Sequence, residues 1–225
     1  MLTFDFLVIL SFSSSVNSRQ CELSFREKVI RCDCSSRRLT FIPTDCPSNT
    51  TDLFLMKNNL NGLGKAIFTK YTQLIYLDMN SCNLSAIDKL AFEKLTHLTE
   101  LSLFDNPMKT FQWNIFAPLD ELQVLHISHD LLSTYPRDSR SDVLNLTKVF
   151  TYGGPTNGSF AEIFSVMQNL KYFNSDCKHN ILHNCMFSAF KSTPLEYLSI
   201  VDRLRAIEIH AFSPLRVLSS LIIPN

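Results

Sequence analysis

Residues 98–108 have the sequence LTELSLFDNPM, and residues 74–84 (LIYLDMNSCNL) and 122–132 (LQVLHISHDLL) repeat the same pattern. All three fit L-x-x-L-x-L-x-x-N-x-L, with Cys82 and Asp130 in place of the asparagine in two of them. The central apolar position returns every 24 residues, at Leu53, Leu77, Leu101, Leu125, Val149 and Phe173. So regular a period predicts a chain built from stacked copies of one short structural unit.

The pattern within each copy predicts its local structure. Leu101 and Leu103 alternate with Ser102 as residues of a strand do, so the leucines point inward and the serine points outward. A period of about 20–29 residues with this pattern is typical of a leucine-rich repeat solenoid. We therefore predict an α/β, right-handed leucine-rich repeat solenoid with a parallel sheet on its concave side and an irregular convex side.

Two further rows support the stacking. Asn58 and Asn106 occupy the asparagine position of the motif, where the side chain can bond backbone groups of neighbouring repeats, and Cys82 and Asp130 can still form such a bond there. A second apolar row is predicted to close the convex side as a stacked spine, at Phe68, Phe92, Phe116, Phe164, Phe190 and Phe212. These residues and the repeat leucines are predicted to be core.

The amino terminus differs from the rest of the chain. An apolar run followed by small residues predicts a secretory signal peptide at residues 1–18, although a buried strand or helix at the start of the fold is an alternative. Residues 19–50 are cysteine-rich and predict a cap over the open end of the solenoid. Residues 51–225 then hold about seven leucine-rich repeats and the start of an eighth, truncated one.

Sequons and cysteines support secretion. The glycosylation motif N-x-[ST] occurs at Asn49, Asn83, Asn145 and Asn157. The four cap cysteines predict disulfides in an oxidising compartment, and four cysteines allow three connectivities, at Cys21, Cys32, Cys34 and Cys46. A bond between Cys32 and Cys34 is not expected, because such close spacing strains the ring.

A second cysteine pair lies near the sixth repeat. Cys177 and Cys185 are flanked by His179 and His183, which are also ligands that zinc prefers. A Cys177–Cys185 disulfide that holds a loop is the interpretation that we favour for a secreted chain; two free thiols and a metal site are the alternatives. This pairing leaves Cys82 as a buried free thiol.

Composition argues against several classes of function. The formal net charge is zero with 21 basic and 21 acidic residues, so no overall field favours nucleic acid or an anionic membrane. Neither a phosphate-binding glycine loop nor a G-x-S-x-G or H-E-x-x-H motif occurs. We therefore predict no enzymatic activity, no catalytic residue, no cofactor and no metal. No segment after the predicted signal peptide is apolar over a length that could span a membrane.

The outward side chains of the concave sheet form the candidate binding surface. Aromatic residues are frequent there, as they are in protein interfaces, although they also suit sheet positions and shield the backbone. The candidate ligand-binding residues are Tyr76, Asp78, Glu100, Phe104, His126, Phe150, Tyr152 and Tyr172. His126 and His129 could titrate in an acidic compartment, but we interpret them as two solvated histidines.

Residues 29–53, VIRCDCSSRRLTFIPTDCPSNTTDL, carry a family resemblance. They resemble the amino-terminal cap of Toll-like receptor ectodomains, especially from Ile42 to Leu53, and depart from it at Cys46, where the family has leucine. The resemblance implies that the chain binds a protein or a microbial ligand on the solenoid in innate immune sensing, and that a full-length form can dimerise. It also implies a first-to-third and second-to-fourth cysteine pairing, Cys21–Cys34 and Cys32–Cys46.

A Toll-like receptor would continue into further repeats, a membrane span and a signalling domain, whereas this sequence ends inside a repeat. We therefore expect a receptor fragment or a truncated product. It would be secreted, or lie at the plasma or endosomal membrane if the receptor continues beyond residue 225. The alternative is a secreted or extracellular-matrix leucine-rich repeat protein that binds a protein partner without signalling. The unfinished repeat is expected to leave apolar side chains uncovered, at Leu215, Leu218, Leu221 and Ile223.

Overall fold

The chain forms a row of short strands joined by long turn segments. The computed structural model describes residues 20–110, 112–134, 145–153, 160, 162–176, 181–201 and 204–223. The strands in chain order are β1 (Glu22–Arg26), β2 (Val29–Asp33), β3 (Asp52–Phe54), β4 (Gly62–Leu63), β5 (Tyr76–Asp78), β6 (Ala86–Ile87), β7 (Glu100–Ser102), β8 (Val124–Ser128), β9 (Lys148–Tyr152), β10 (Tyr172–Asp176), β11 (Ile181–Leu182), β12 (Tyr197–Ile200), β13 (Ala206–Ile207) and β14 (Ser220–Ile222).

Helical structure is short. Among the described residues one α-helix, α1, covers His129–Leu132, and single turns of 3₁₀ helix cover Trp113–Phe116, Glu162–Val166 and Ser188–Phe190. In the part of the chain that the structure describes, no helix has the length and apolar character that a membrane crossing requires.

Ten strands form one sheet in the order β1-β2-β3-β5-β7-β8-β9-β10-β12-β14. The β1–β2 hairpin is antiparallel, and every later pair is parallel. The small pairs β4–β6 and β11–β13 form separate two-stranded sheets. This arrangement confirms the predicted leucine-rich repeat solenoid with its parallel sheet and disulfide-bonded cap.

The register places the repeat position of each strand beside that of the next. Seven of these side chains are completely buried in one inward row, at Leu53, Leu77, Leu101, Leu125, Val149, Phe173 and Leu198. After Phe173 the step is no longer 24: Leu198 follows 25 residues later and Leu221 another 23. The row stays continuous because the turn segments absorb the difference. Leu221 itself is 41% exposed.

The convex spine forms largely as predicted. Phe68, Phe92, Phe116, Phe164 and Phe190 are buried, whereas Phe212 is only partly buried. The ring centroids of Phe68 and Phe92 lie 6.0 Å apart and those of Phe164 and Phe190 lie 4.5 Å apart, both pairs stacked. In these two pairs, each phenylalanine therefore packs against the phenylalanine of a neighbouring repeat.

Phe160 was not part of the predicted spine, because it does not fall on the 24-residue period. Its ring is buried and lies 5.1 Å from Phe173, 5.3 Å from Phe187 and 5.6 Å from Phe190. This local cluster of rings fills the core where the repeats become irregular.

The asparagine ladder is confirmed at two positions. Asn106 accepts hydrogen bonds from the backbone N–H of Cys82 (3.0 Å) and Leu84 (2.9 Å), and its amide nitrogen donates to the carbonyls of Met79 (3.0 Å) and Leu103 (2.8 Å). Asn58 likewise accepts hydrogen bonds from two backbone N–H groups and donates to two carbonyls, and these bonds join its own repeat to the cap. One side chain thus satisfies four backbone groups in two neighbouring repeats, which ties the turns together.

Cys82 takes the ladder position as a thiol. It is completely buried, is not in a disulfide, and donates to the carbonyl of Leu55 at 3.0 Å. Burial raises the pKa of its thiol to about 11, so it stays protonated and unreactive. The prediction of a buried free thiol is confirmed.

Asp130 does not join the ladder, and that prediction is wrong. The chain turns directly from β8 into α1, and the Ser128 hydroxyl accepts from the Leu131 N–H at the start of this helix. Asp130 is exposed in the first turn of α1, where its negative charge suits the amino-terminal end of a helix. Leu131 and Leu132 fill the core instead.

Two disulfides hold the cap, Cys21–Cys34 and Cys32–Cys46, which confirms the predicted pairing. All four sulfurs lie within 4.8 Å of one another. Cys32 lies in β2 beside Leu53 of the first repeat, so the cap continues the inward row. The predicted signal peptide at residues 1–18 lies outside the described residues and stays a prediction.

The favoured pairing of Cys185 with Cys177 does not agree with the structure. Cys185 has a free, exposed thiol in the turn after β11, and Cys177 lies outside the described residues. The turn is held by a different interaction: Glu208 accepts from the Asn184 N–H (2.9 Å) and from His183 Nδ1 (2.9 Å).

Candidate functional site

The concave face is built by strand alternation and register. Because each strand pairs in parallel with the next, residues about one repeat apart stand side by side and form rows across the sheet. One outward row consists of Asp52, Tyr76, Glu100, Val124, Lys148, Tyr172 and Tyr197. The next consists of Phe54, Asp78, Ser102, His126, Phe150, Asn174 and Ser199.

Stacked rings dominate the carboxyl-terminal half of this face. His126 and Phe150 lie parallel with centroids 4.3 Å apart, Phe150 and Tyr172 are 5.2 Å apart, and Tyr172 and Tyr197 stack at 4.3 Å. On the neighbouring row Phe104 stacks on Tyr152 at 4.0 Å. We call these six residues the aromatic row: Phe104, His126, Phe150, Tyr152, Tyr172 and Tyr197.

The rings of the aromatic row pack against one another and keep part of their surface in solvent. Tyr152 is 38% exposed and the others are half-buried. Burial raises the pKa values of the Tyr152 and Tyr172 phenols, so both hydroxyls remain protonated donors at neutral pH. The row therefore offers a rigid apolar surface with polar tips.

The amino-terminal half of the face is acidic. We define the acidic patch as Asp52, Phe54, Tyr76, Asp78 and Glu100, on strands β3, β5 and β7. The outward residues of β3, β5, β7 and β8, strands that the structure describes completely, include three carboxylates and no lysine or arginine. The rings of Phe54 and Tyr76 lie 4.9 Å apart between these carboxylates.

The electrostatics of the acidic patch follow from burial. Burial raises the pKa of the Asp52 carboxyl and that of Asp78, where the Asn80 N–H offsets part of the rise. The pKa of the Tyr76 phenol is also raised, by burial first and then by the charges of Asp78 and Glu100. Two basic side chains border the patch: Arg31 at the cap, and His126, whose Nε2 lies 3.1 Å from Glu100 Oε1.

The structure brings the predicted binding residues onto one face, but it leaves Asp78 buried. Its side chain points outward as predicted, yet it is only 6% exposed and accepts from the Asn80 N–H at 2.9 Å. Ser102 is 2% exposed and donates to Asn80 Oδ1 at 2.8 Å. Both short side chains are thus buried although they face outward, so Asp78 contributes charge rather than contact surface. The binding roles of the eight candidate residues remain predictions.

His129 is not the solvated residue that we predicted. It begins α1, is 2% exposed, and its ring centroid lies 5.8 Å from that of Phe160. The turn after β8 places it inside the solenoid, whereas His126 stays on the concave face.

Three of the four sequon asparagines are exposed, Asn49, Asn83 and Asn145, and Asn157 lies outside the described residues. Asn145 accepts from the amide nitrogen of Asn169 through its oxygen, which is not the atom that carries a glycan. Asn83 instead donates its amide nitrogen, the atom of attachment, to Asn59 Oδ1 at 2.7 Å, and its φ is 54°.

We expect Asn49 and Asn145 to be glycosylated in secreted protein, and Asn83 to be occupied in only a minor fraction, because its nitrogen is engaged in a tight turn. Peptide mass spectrometry after glycosidase treatment in heavy-oxygen water measures each occupancy. Asn59→Ala removes the acceptor and should raise the occupancy of Asn83. A modified Asn83 beside an unmodified Asn145 would contradict this expectation.

Comparison with known proteins gives matches to two family profiles and to solved structures. A family profile described as "Leucine rich repeat" matches residues 48–108 and 72–132, and one described as "BspA type Leucine rich repeat region (6 copies)" matches residues 183–225. The crystal structure of human 5T4 (Wnt-activated inhibitory factor 1, trophoblast glycoprotein) superposes with a TM-score of 0.63 at 21% identity, over 87% of this chain and 76% of that chain. At this identity the likeness concerns the fold.

Curated relatives match over parts of their length. Platelet glycoprotein Ib alpha chain of Mus musculus is 29% identical over 131 residues, which are 57% of this chain and 17% of the relative. Toll-like receptor 3 of Homo sapiens is 41% identical over 66 residues, which are 29% of this chain and 7% of the receptor. This chain thus covers less than a fifth of either relative, and neither name denotes an enzyme.

Proposed function

We propose that this chain, a member of the leucine-rich repeat superfamily, is an extracellular recognition module that binds a protein ligand through the concave face of its solenoid. The observation that carries the proposal is the aromatic row. Large rings held in fixed positions lose little conformational entropy when a partner covers them, and aromatic residues supply much of the energy of protein interfaces.

A purely structural role explains the aromatic row less well. Rings that only shield the backbone need no mutual contact, yet four rings are in contact in sequence across β8, β9, β10 and β12, with the two outer pairs stacked and the middle pair tilted. The polar tips of Tyr152, Tyr172 and Tyr197 add hydrogen-bonding groups at the surface. An apolar surface with polar tips is typical of protein contact sites.

Within this class we propose an innate immune receptor ectodomain that resembles the Toll-like receptors and senses a protein or microbial ligand. The cap sequence from Ile42 to Leu53 and the partial likeness to Toll-like receptor 3 support this role. The second candidate is a secreted or extracellular-matrix protein that binds its partner without signalling. The likeness to platelet glycoprotein Ib alpha chain, a relative outside the Toll-like receptors, covers more of this chain and is the reason for a second candidate.

The test is a binding screen of the secreted chain against arrayed extracellular host proteins and microbial products. A protein that binds is then measured against Tyr172→Ala and Phe150→Ala. Loss of a central aromatic contact costs about 2 kcal/mol or more at an interface, so we expect each variant to weaken binding about thirtyfold. Phe41→Ala is the matched control, because Phe41 is 64% exposed outside the sheet.

A microbial protein would support the immune receptor, and a host extracellular protein would support the matrix protein. Equal binding by the wild type, Tyr172→Ala and Phe150→Ala would contradict a concave binding site. Selective binding of nucleic acid would contradict a protein ligand.

A further inference from the structure

We infer that the acidic patch on the concave face receives a basic segment of the protein partner, with an arginine guanidinium placed against the rings of Phe54 and Tyr76. This inference rests on the proposed function and adds the chemistry of the partner. It concerns the half of the face that the aromatic row does not cover.

The first argument is the local distribution of charge. The whole chain is neutral, but Asp52, Asp78 and Glu100 stand on three neighbouring strands without an outward lysine or arginine on β3, β5, β7 or β8. Like charges on adjacent strands repel one another, and the partial burial of these carboxylates reduces their screening by water. A cationic partner would remove this repulsion, so the charge of the patch is complementary to a basic surface.

The second argument is a contact within the chain itself. The guanidinium carbon of Arg31 lies 3.9 Å from the centroid of Phe54, and its Nη2 donates to Asp33 at 3.0 Å. At the border of the patch, a ring and a carboxylate therefore already hold one guanidinium. One strand further on, Tyr76 has Asp52 and Glu100 as its neighbours in the register. Arg31 pairs with Asp52 on the cap side and His126 contacts Glu100 on the other, but neither Tyr76 nor Asp78 has a lysine or arginine as its own register partner.

The third argument is access. Asp52, Tyr76 and Glu100 are half-buried and so keep surface for a partner. A groove of about 570 Å³ opens beside Asp52 against the cap hairpin, and the carboxylates of Glu22, Asp33 and Asp52 line it together with Arg26 and Arg31. An extended segment can lie in this groove and reach the acidic patch.

The ring and carboxylate set favours a guanidinium over other groups. Arginine is planar, stacks on aromatic faces and bonds carboxylates through a fork of donors, whereas lysine is a compact, strongly hydrated charge. Phosphate groups of a nucleic acid or lipid would meet three carboxylates and be repelled.

The inference is tested with short fluorescent peptides in which glycine alternates with arginine, lysine or glutamate, titrated against the secreted full chain by fluorescence anisotropy. We expect the arginine peptide to bind, and to bind more weakly at high salt. Asp52→Asn and Glu100→Gln should each weaken it about threefold, and the double variant about tenfold. Tyr76→Leu should reduce the preference for arginine over lysine.

Glu121→Gln is the matched control, since Glu121 is an exposed carboxylate outside the sheet strands and should leave binding unchanged. Thermal unfolding verifies that each variant is folded. Unchanged binding by the double variant, or equal binding of the arginine and lysine peptides, would overturn the inference. Tyr172→Ala separates the two proposals: it should spare the arginine peptide while it weakens the whole partner, so either proposal can fail alone.

Discussion

Leu101→Asp is expected to abolish secretion of folded protein. Leu101 is completely buried in the inward row, with Leu77 and Leu125 beside it in the register. An unpaired carboxylate in that position costs several kcal/mol, and the loss of the leucine leaves a cavity. Together these effects approach the whole free energy of unfolding of many domains, which is about 5–15 kcal/mol. The measurement compares chain in the medium with chain retained in the cells.

The matched control lies one residue away. Glu100 points outward, is half-buried, and has His126 as its partner. Glu100→Lys should therefore cost no more than about 1 kcal/mol and leave secretion intact. If the two variants were retained equally, the assignment of inward and outward residues in these strands would be incorrect.

Removal of one cap disulfide is expected to have the second largest effect. Cys32 and Cys46 are buried and close a loop with a sequence separation of 14. Opening such a loop with Cys32→Ala and Cys46→Ala together should lower the free energy of unfolding by about 3 kcal/mol. For a chain of this size that corresponds to a fall in Tm of about 10 °C, measured by circular dichroism.

Cys185→Ala serves as the control for the loss of a cysteine, because its thiol is free and exposed. It should leave Tm unchanged. Hydrogen exchange should show that the cap variant loses protection first in β2 and β3, which lie beside the opened bond. A cap variant as stable as the wild type would mean that the first repeat does not depend on the cap.

The inward row could be predicted because burial in a repeat fold leaves a strict period in the sequence. Leu53 through Phe173 were identified from spacing, and so were the ladder roles of Asn58 and Asn106. The free thiol of Cys82 was predicted correctly, but the argument used a Cys177–Cys185 pairing, whereas Cys185 is free. The cap pairing came from family resemblance, because spacing excluded a Cys32–Cys34 bond and left two connectivities open. Periodicity thus determines which side of a strand a residue faces.

The burial of two short side chains that face outward could not be predicted. Asp78 and Ser102 face outward in the correct phase, but both are buried and each is hydrogen-bonded to Asn80. Their burial depends on the side chains one repeat away as well as on direction, and no period in a single repeat records that.

The structure of the irregular repeats also could not be predicted from the 24-residue pattern. Asp130 and His129 follow β8 at the expected spacing, yet Ser128 begins a helix there and moves one to the surface and the other into the core. Phe160 fills the core from a position off the period. A local helix start is a choice between two hydrogen-bonding arrangements, and the repeat spacing does not distinguish them.

The pairing register between strands stays constant although the repeats differ in length, with steps of 24, 25 and 23 residues. The concave face therefore has a regular spacing. Distances along the face depend on the separation of strands, about 4.8 Å, and not on the length of the turns between them. From Tyr76 on β5 to Tyr197 on β12 there are five steps, or about 24 Å. A partner must therefore match spacings that are multiples of one backbone distance, and variation in the turns can alter the convex side without changing that scale.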